Sequence, residues 1–170
     1  MTTDIKAPPI SIRFSAKGFP VTQGNKLPAH VFNIRGNCKV WLREKNDKEL
    51  TQWRGLVKTA AERAMKGRAP MEGPLLLLAA FYFPRPKSHT AKQRANPFVH
   101  GGGRYDTEKL VRAINDAMTE AGVWHDDAQA SVMLAEKRYA EQDGDVGVII
   151  NVQALDAETP PIFMAPEATS

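Results

Sequence analysis

The chain has 170 residues, of which 42% are hydrophobic and 25% are charged, and its net charge is +4. These values fit one soluble globular domain with its own core, and so mild a charge does not by itself identify a partner. The only cysteine, Cys38, excludes an internal disulfide and a cysteine-rich zinc site. No apolar run reaches the roughly 20 residues that cross a bilayer, and the N-terminus lacks the apolar core of a signal peptide. We therefore expect a cytoplasmic protein with no membrane partner.

The first part of the chain predicts three short strands. Apolar and polar residues alternate over Ile10–Phe14, which indicates an edge or half-buried strand. Residues 16–26 are rich in glycine, proline and polar side chains and predict a loop. Two further strands, His30–Ile34 and Lys39–Leu42, are expected on either side of a turn at residues 35–37.

A long amphipathic helix follows. Asn46 or Asp47 is expected to cap it, and it should run to about Lys66 and end at Gly67. Apolar residues recur at helical spacing along it and predict one buried face, composed of Leu50, Trp53, Leu56, Val57, Ala60, Ala61 and Ala64.

The most apolar segment, Leu75–Phe83, predicts a strand in the interior of the sheet, because it has no polar face for solvent. Pro84 and Pro86 end this strand. The segment that follows, residues 84–104, is expected to be a long basic flexible loop, and loops of this length in compact domains usually have a function or are disordered.

A second amphipathic helix is predicted from Asp106 or Thr107 to Ala121, closed by Gly122. Glu108, Arg112, Asn115 and Asp116 are expected on its open face. Its expected core positions are Leu110, Ala113, Ile114, Ala117, Met118 and Ala121.

Two strands, Ala130–Ala140 and Val146–Val152, complete the predicted domain, and the turn residues 142–144 between them favour a hairpin. The sequence thus predicts a single α/β domain of the α+β type over residues 1–155. It should contain a mixed β-sheet of about five to six strands packed against two main helices. Residues 156–170 are expected to form a flexible C-terminal tail.

Charge is distributed unevenly around the start of the second helix. The segment from Pro84 to Tyr105 contains basic residues and no acid. Between Asp106 and Asp127, six acids stand against Lys109 and Arg112. A basic stretch attracts phosphates and an acidic cluster holds a metal, so the pattern suits a metal-dependent nuclease, although a solvated loop beside a charged helix gives the same pattern. The candidate DNA-binding residues are Arg85, Lys87, Lys92, Arg94, Arg104 and Lys109.

Four carboxylates are the candidate metal ligands: Asp106 and Glu108 at the helix entrance, and Asp126 and Asp127 in the link after the helix. If they converge, they repel one another unless a cation lies among them, and carboxylate oxygens are the donors that Mg²⁺ or Mn²⁺ prefers. Asp106 alone has a second interpretation as a simple helix cap. Arg112 also has two interpretations. It can form an exposed ion pair with Glu108 or Asp116, or it can act as a cation that stabilises the transition state of phosphoryl chemistry.

The segment from Asp106 to Gln129 resembles the active-site block of the RusA-type Holliday-junction resolvases, through its acids two residues apart, the basic residue that follows and the closing Trp-His-Asp-Asp-Ala-Gln. Residues 81–89 resemble phage-type members more loosely. The resemblance implies a mixed α/β homodimer that cuts four-way DNA junctions with Mg²⁺, in DNA recombination and repair. It also implies that Asp106, Glu108 and Asp127 are the catalytic acids and that Asp126 supports them.

Two positions depart from the best-known form of that family, which has Asp where this chain has Glu108 and Lys where it has Arg112. Two other functions stay open. One is a DNA-binding protein that keeps the fold without cutting, and the other is a metal-dependent hydrolase of a small phosphorylated substrate. The long basic segment argues against the small substrate, which needs no such extended surface.

Overall fold

The computed structural model describes residues 10–24, 26–34, 37–100 and 105–160. Within them it has six strands and three helices. The strands are β1 (Ser11–Lys17), β2 (Lys26–Ile34), β3 (Asn37–Glu44), β4 (Leu75–Phe83), β5 (Ala130–Tyr139) and β6 (Gly147–Ala154), and the helices are α1 (Asp47–Met65), α2 (Ala91–Ala95) and α3 (Thr107–Glu120). None of the described helices is both long and apolar enough to span a membrane.

The strands form two sheets. Four of them make a mixed sheet in the order β1-β6-β4-β5, in which β4 and β5 are parallel and the other neighbours are antiparallel. Strands β2 and β3 form a separate antiparallel pair. The predicted α+β class, the two main helices and the interior position of β4 are confirmed, while the six strands are divided between two sheets.

The predicted hairpin between the last two strands is wrong. β6 lies between β1 and β4, so β4 separates it from β5. The chain leaves the end of β5 at Tyr139, crosses the end of β4 and enters β6 at Gly147. The turn residues 142–144 therefore form part of a connection across one strand, not a two-residue turn between neighbours.

The core lies between the four-stranded sheet and the two main helices. Alternate residues of β4, from Leu75 to Phe83, are buried, and α1 and α3 pack over this side of the sheet. Trp53, Val57 and Ile114 are almost completely buried there. Each large apolar side chain removed from water contributes roughly 1.5–3 kcal/mol, which fixes both helices against the strands.

Two residues of the helices differ from the predicted pattern. Leu56, expected in the core, is 49% exposed, because the buried stripe of α1 follows Trp53, Val57 and Ala61. Asn115, expected on the open face of α3, is only 4% exposed and its amide lies 3.7 Å from the sulfur of Met133. The face of α3 that touches β5 is therefore wider than its apolar residues indicate.

Candidate active site

The helix entrance carries the first pair of predicted acids. Asp106 is half-buried and caps α3, where its Oδ1 accepts a hydrogen bond from the backbone N–H of Lys109 at 3.4 Å. The preceding residue, Tyr105, packs its ring against Phe83, and its carbonyl accepts from Lys137 Nζ at 2.7 Å. These contacts hold the start of α3 at the ends of β4 and β5, where the basic segment leaves the sheet.

Glu108 and Arg112 lie on the exposed side of α3. Arg112 donates to Glu108 across 3.1 Å, one helical turn apart, and their side chains are 51% and 81% exposed. Such exposed pairs contribute only a few tenths of a kcal/mol. The ion pair expected from the spacing is therefore present with Glu108, whereas Asp116 has other partners.

The second pair of acids lies at the other end of α3. Asp126 caps a short 3-10 turn, where its Oδ1 accepts from Ala128 N–H at 2.8 Å. Gln129 ties this turn to the chain that leads into β4, since its Nε2 donates to the carbonyls of Met71 and Gly73. The glutamine of the Asp-Asp-Ala-Gln sequence thus fixes the position of both aspartates.

Asp126 and Asp127 line a shallow pocket together with side chains that the sequence did not single out as partners. Arg54 of α1 pairs with Asp116 at 3.4 Å and with Glu120, and Gln23 donates to Asp116 at 2.6 Å. The pocket is lined by Arg54, Asp116, Thr119, Glu120, Asp126 and Asp127. It therefore collects four carboxylates around one arginine.

The structure does not bring the four predicted metal ligands together. Asp106 and Glu108 lie at one end of α3 and Asp126 and Asp127 at the other, and a helix of 14 residues spans about 20 Å. Among the described residues, no group of three or more His, Cys, Asp or Glu side chains is arranged to hold a metal ion. The roles of these four carboxylates stay a prediction.

The predicted DNA-binding residues divide into two groups. Arg85 and Arg94 hold the basic segment in shape, because their guanidinium groups donate to backbone carbonyls of residues 87, 89, 93 and 96. Lys87 and Lys92 are exposed, and Lys109 is half-buried at the start of α3. Arg104 lies outside the described residues.

The basic segment contains a short helix that was not predicted. Thr90 and Gln93 form a reciprocal capping box at the start of α2, with a bond of 2.8 Å from Thr90 N–H to Gln93 Oε1. Beyond α2, the chain pairs with the end of β5 through Val99 N–H and Tyr139 N–H. The described part of the predicted loop is thus folded against the sheet.

The two residues before the Asp-Asp pair, a tryptophan and a histidine, both have structural contacts. Trp124 is 1% exposed and its indole N–H donates to Thr119 at 2.7 Å, so it belongs to the core. His125 lies on the surface beside Glu72, with 2.9 Å between Nε2 and Oε1.

An α+β domain with carboxylates along one helix and a folded basic segment at its entrance has the features of a protein that processes nucleic acid. The family model described as Endodeoxyribonuclease RusA matches residues 18–152 of the chain. The chain therefore belongs to the RusA endodeoxyribonuclease family, as its resemblance predicted. No curated protein matches it.

Proposed function

We propose that this protein is a Mg²⁺-dependent endonuclease that resolves four-way DNA junctions by paired symmetric nicks, acting as a homodimer in DNA recombination and repair. The observation that carries the proposal is the match to the endodeoxyribonuclease family over residues 18–152. This range includes every candidate acidic residue of the site and every candidate DNA-binding residue named above. A two-fold dimer would present two equivalent sites to one junction, from which symmetric nicking follows.

The candidate donors fit Mg²⁺ in chemical kind, with Mn²⁺ as an alternative ion, because all four are carboxylates. They do not fit as a single ligand set, since α3 separates Asp106 and Glu108 from Asp126 and Asp127. When bound, such a metal would supply an activated water and stabilise charge on phosphorus.

The contribution of the protein's own residues follows from their positions. The exposed Lys87 and Lys92 can contact phosphates, while Arg85 and Arg94 keep the segment that carries them folded. Arg112 is on the same exposed face of α3 as Glu108, where its planar guanidinium can donate to a phosphate in place of the glutamate. Lys109 adds a positive charge beside Asp106.

The test compares cleavage of a labelled synthetic four-way junction with its linear duplex in Mg²⁺, for the wild type, Asp127→Asn and a control. We expect paired nicks in the junction alone, and at least a hundredfold loss for Asp127→Asn, which removes a charge without changing shape. Glu62→Gln, an exposed acid late in α1, should cut normally. Tight junction binding with no cutting by the wild type in Mg²⁺ or Mn²⁺ would instead favour a non-catalytic junction-binding protein.

A further inference from the structure

The side of the four-stranded sheet that faces away from α1 and α3 has its own charge pattern. We call it the open sheet face, because no described helix packs over its length. The pairing register of the four strands places side chains from each of them on this face, in aligned rows. Its residues are Ser11, Arg13, Ser15 and Lys17 of β1; Ile149, Asn151 and Gln153 of β6; Leu76, Leu78, Ala80 and Tyr82 of β4; and Val132, Leu134, Glu136 and Arg138 of β5.

A groove runs along this face and deepens at one end. The deep end is a cavity of about 980 Å³ between the ends of the strands and the segment that carries α2. Its walls include Lys17, Arg85, Arg94 and Arg138, and Tyr82 is in its lining. A shallower part continues between Arg13 and the apolar residues of β4 and β5, and Ile149 lines both parts.

Two of the arginines at the deep end are held in fixed positions. The guanidinium of Arg85 lies 4.5 Å from the centre of the Tyr139 ring, and that of Arg138 lies 4.9 Å from the centre of the Phe98 ring. Arg138 also donates to Glu136 at 2.8 Å, a hydrogen bond that raises the pKa of the guanidinium. Because these planar groups are already ordered, little further conformational entropy is lost when they bind an anion.

We propose that the open sheet face binds a DNA strand, whose phosphates contact Arg13, Lys17 and Arg138. This inference rests on the proposed function, to which it adds a second contact surface on the side of the sheet opposite the acids of α3. Polar side chains of β1 and β6 can donate to phosphates and sugars, and the ring of Tyr82 offers a stacking surface for a base.

Charge favours a DNA strand over a second copy of the chain on this face. Basic residues along the groove, Arg13, Lys17, Arg85, Arg94 and Arg138, outnumber the acids Glu136, Glu141 and Asp145. A second copy would bring the same excess of positive charge against it, whereas a polyanion neutralises that excess and releases its own counterions. The α2 segment also stands over one end of the face, where Arg94 and Ala95 line the cavity together with Lys17 and Tyr82.

Binding of a labelled four-way junction in EDTA tests the inference without any need for cleavage. Arg13→Gln/Lys17→Gln removes two exposed cations of β1, and Lys48→Gln/Arg63→Gln removes two exposed cations of α1 on the other side of the sheet. We expect binding at least about tenfold weaker than the control for the β1 variant, and a slope of log affinity against log salt smaller by roughly two. Equal affinity and slope for the two variants would overturn the inference, while failure of the wild type to bind any DNA would count against the proposed function.

A photo-crosslinking residue at Ser15, between the two β1 cations, gives a readout that does not depend on charge removal. A crosslink to labelled DNA, absent when the same residue replaces Thr51 on α1, is the expected result. A crosslink between two protein chains at Ser15, without one to DNA, would overturn the inference in favour of a second copy on this face. Circular dichroism of each variant verifies that it is folded.

Discussion

Gly147 is the residue whose backbone allows β6 to enter the sheet. It lies between Lys17 of β1 and Tyr82 of β4, with a φ of 155°. A Cβ at this position would overlap the carbonyl oxygen of Ala16, which is backbone and cannot rotate away. The close approach of two strands therefore requires glycine here.

We predict that Gly147→Ala lowers the free energy of unfolding by about 2 kcal/mol or more, because β1 and β6 must separate or the backbone must strain. Thermal and denaturant unfolding would measure the change. Gly144→Ala is the matched control, since a Cβ there meets no atom within 4 Å, and it should alter stability by less than about 0.5 kcal/mol. Equal stability of the two variants would contradict the close packing of β6 against β1.

A single variant of Arg112 distinguishes the two interpretations of its positive charge. As a partner of Glu108 it is exposed, so Arg112→Gln should change the free energy of unfolding by less than about 0.5 kcal/mol. If it stabilises charge on the transferring phosphoryl group, the same variant should lower the junction-cleavage rate by about a hundredfold or more. Cleavage at the wild-type rate would leave the ion pair as its only role, and the free energy of unfolding of Glu108→Gln provides the reference for loss of that pair.

The sequence identified candidate side chains at the site but could not identify their neighbours. Paired acids in a characteristic spacing are visible in the chain itself. Arg54 and Gln23 are not, because they meet Asp116 across 62 and 93 positions of sequence and carry no local signal. The sequence places the two pairs of acids on either side of the predicted helix, but whether they meet depends on where the turn after the helix packs, which carries no local signal.

Elements with strong local patterns were predicted closely. The limits of β4 are those expected, because its apolar run is bounded by Pro74 and Pro84, and both long helices end within two residues of their predicted ends. Helix α2 was missed because five residues are too few to show a helical period. The hairpin at residues 142–144 was wrong for a different reason: a turn signal is local, whereas the place of β6 is set by pairing with β1, about 140 residues earlier.

The basic segment depends on one side chain that lysine should not replace. Arg94 donates through Nε to the carbonyl of His89 and through a terminal nitrogen to that of Lys87, at 3.1 and 3.2 Å. A lysine keeps the charge but cannot span both acceptors. We predict that Arg94→Lys raises the rate of proteolysis within residues 86–96 several-fold and weakens junction binding.

Lys92→Arg is the control for that prediction, because position 92 is exposed and the change also preserves charge. It should leave both proteolysis and binding near wild type. If Arg94→Lys behaves in the same way, the carbonyl contacts of Arg94 do not hold the segment, and charge alone accounts for its contribution.

At the scale of the whole molecule, α3 separates two chemical environments. Its start lies beside the basic segment with Asp106 and Glu108, and its end lies in the acidic pocket with Asp127 and Arg54. Glu108 in the first environment and Asp116 in the second are eight residues apart, which is about 12 Å along α3. Under the proposed function, the second cut comes from the equivalent site of the other chain in a two-fold dimer, and that requirement can be tested directly.

Mixed dimers of wild-type and Asp127→Asn chains should nick one strand of a junction and fail to complete resolution, because one of the two equivalent sites is inactive. A cruciform extruded on a supercoiled plasmid distinguishes the outcomes. Two active sites give a linear product, whereas one gives an open circle, since the first nick releases the supercoiling that maintains the junction. We expect co-purified mixed dimers, carrying different affinity tags, to yield open circles, and wild-type dimers carrying the same tags to yield linear plasmid. Linear product from the mixed dimers would mean that the one active chain makes both nicks. Paired nicking would then not arise from a two-fold arrangement of this site.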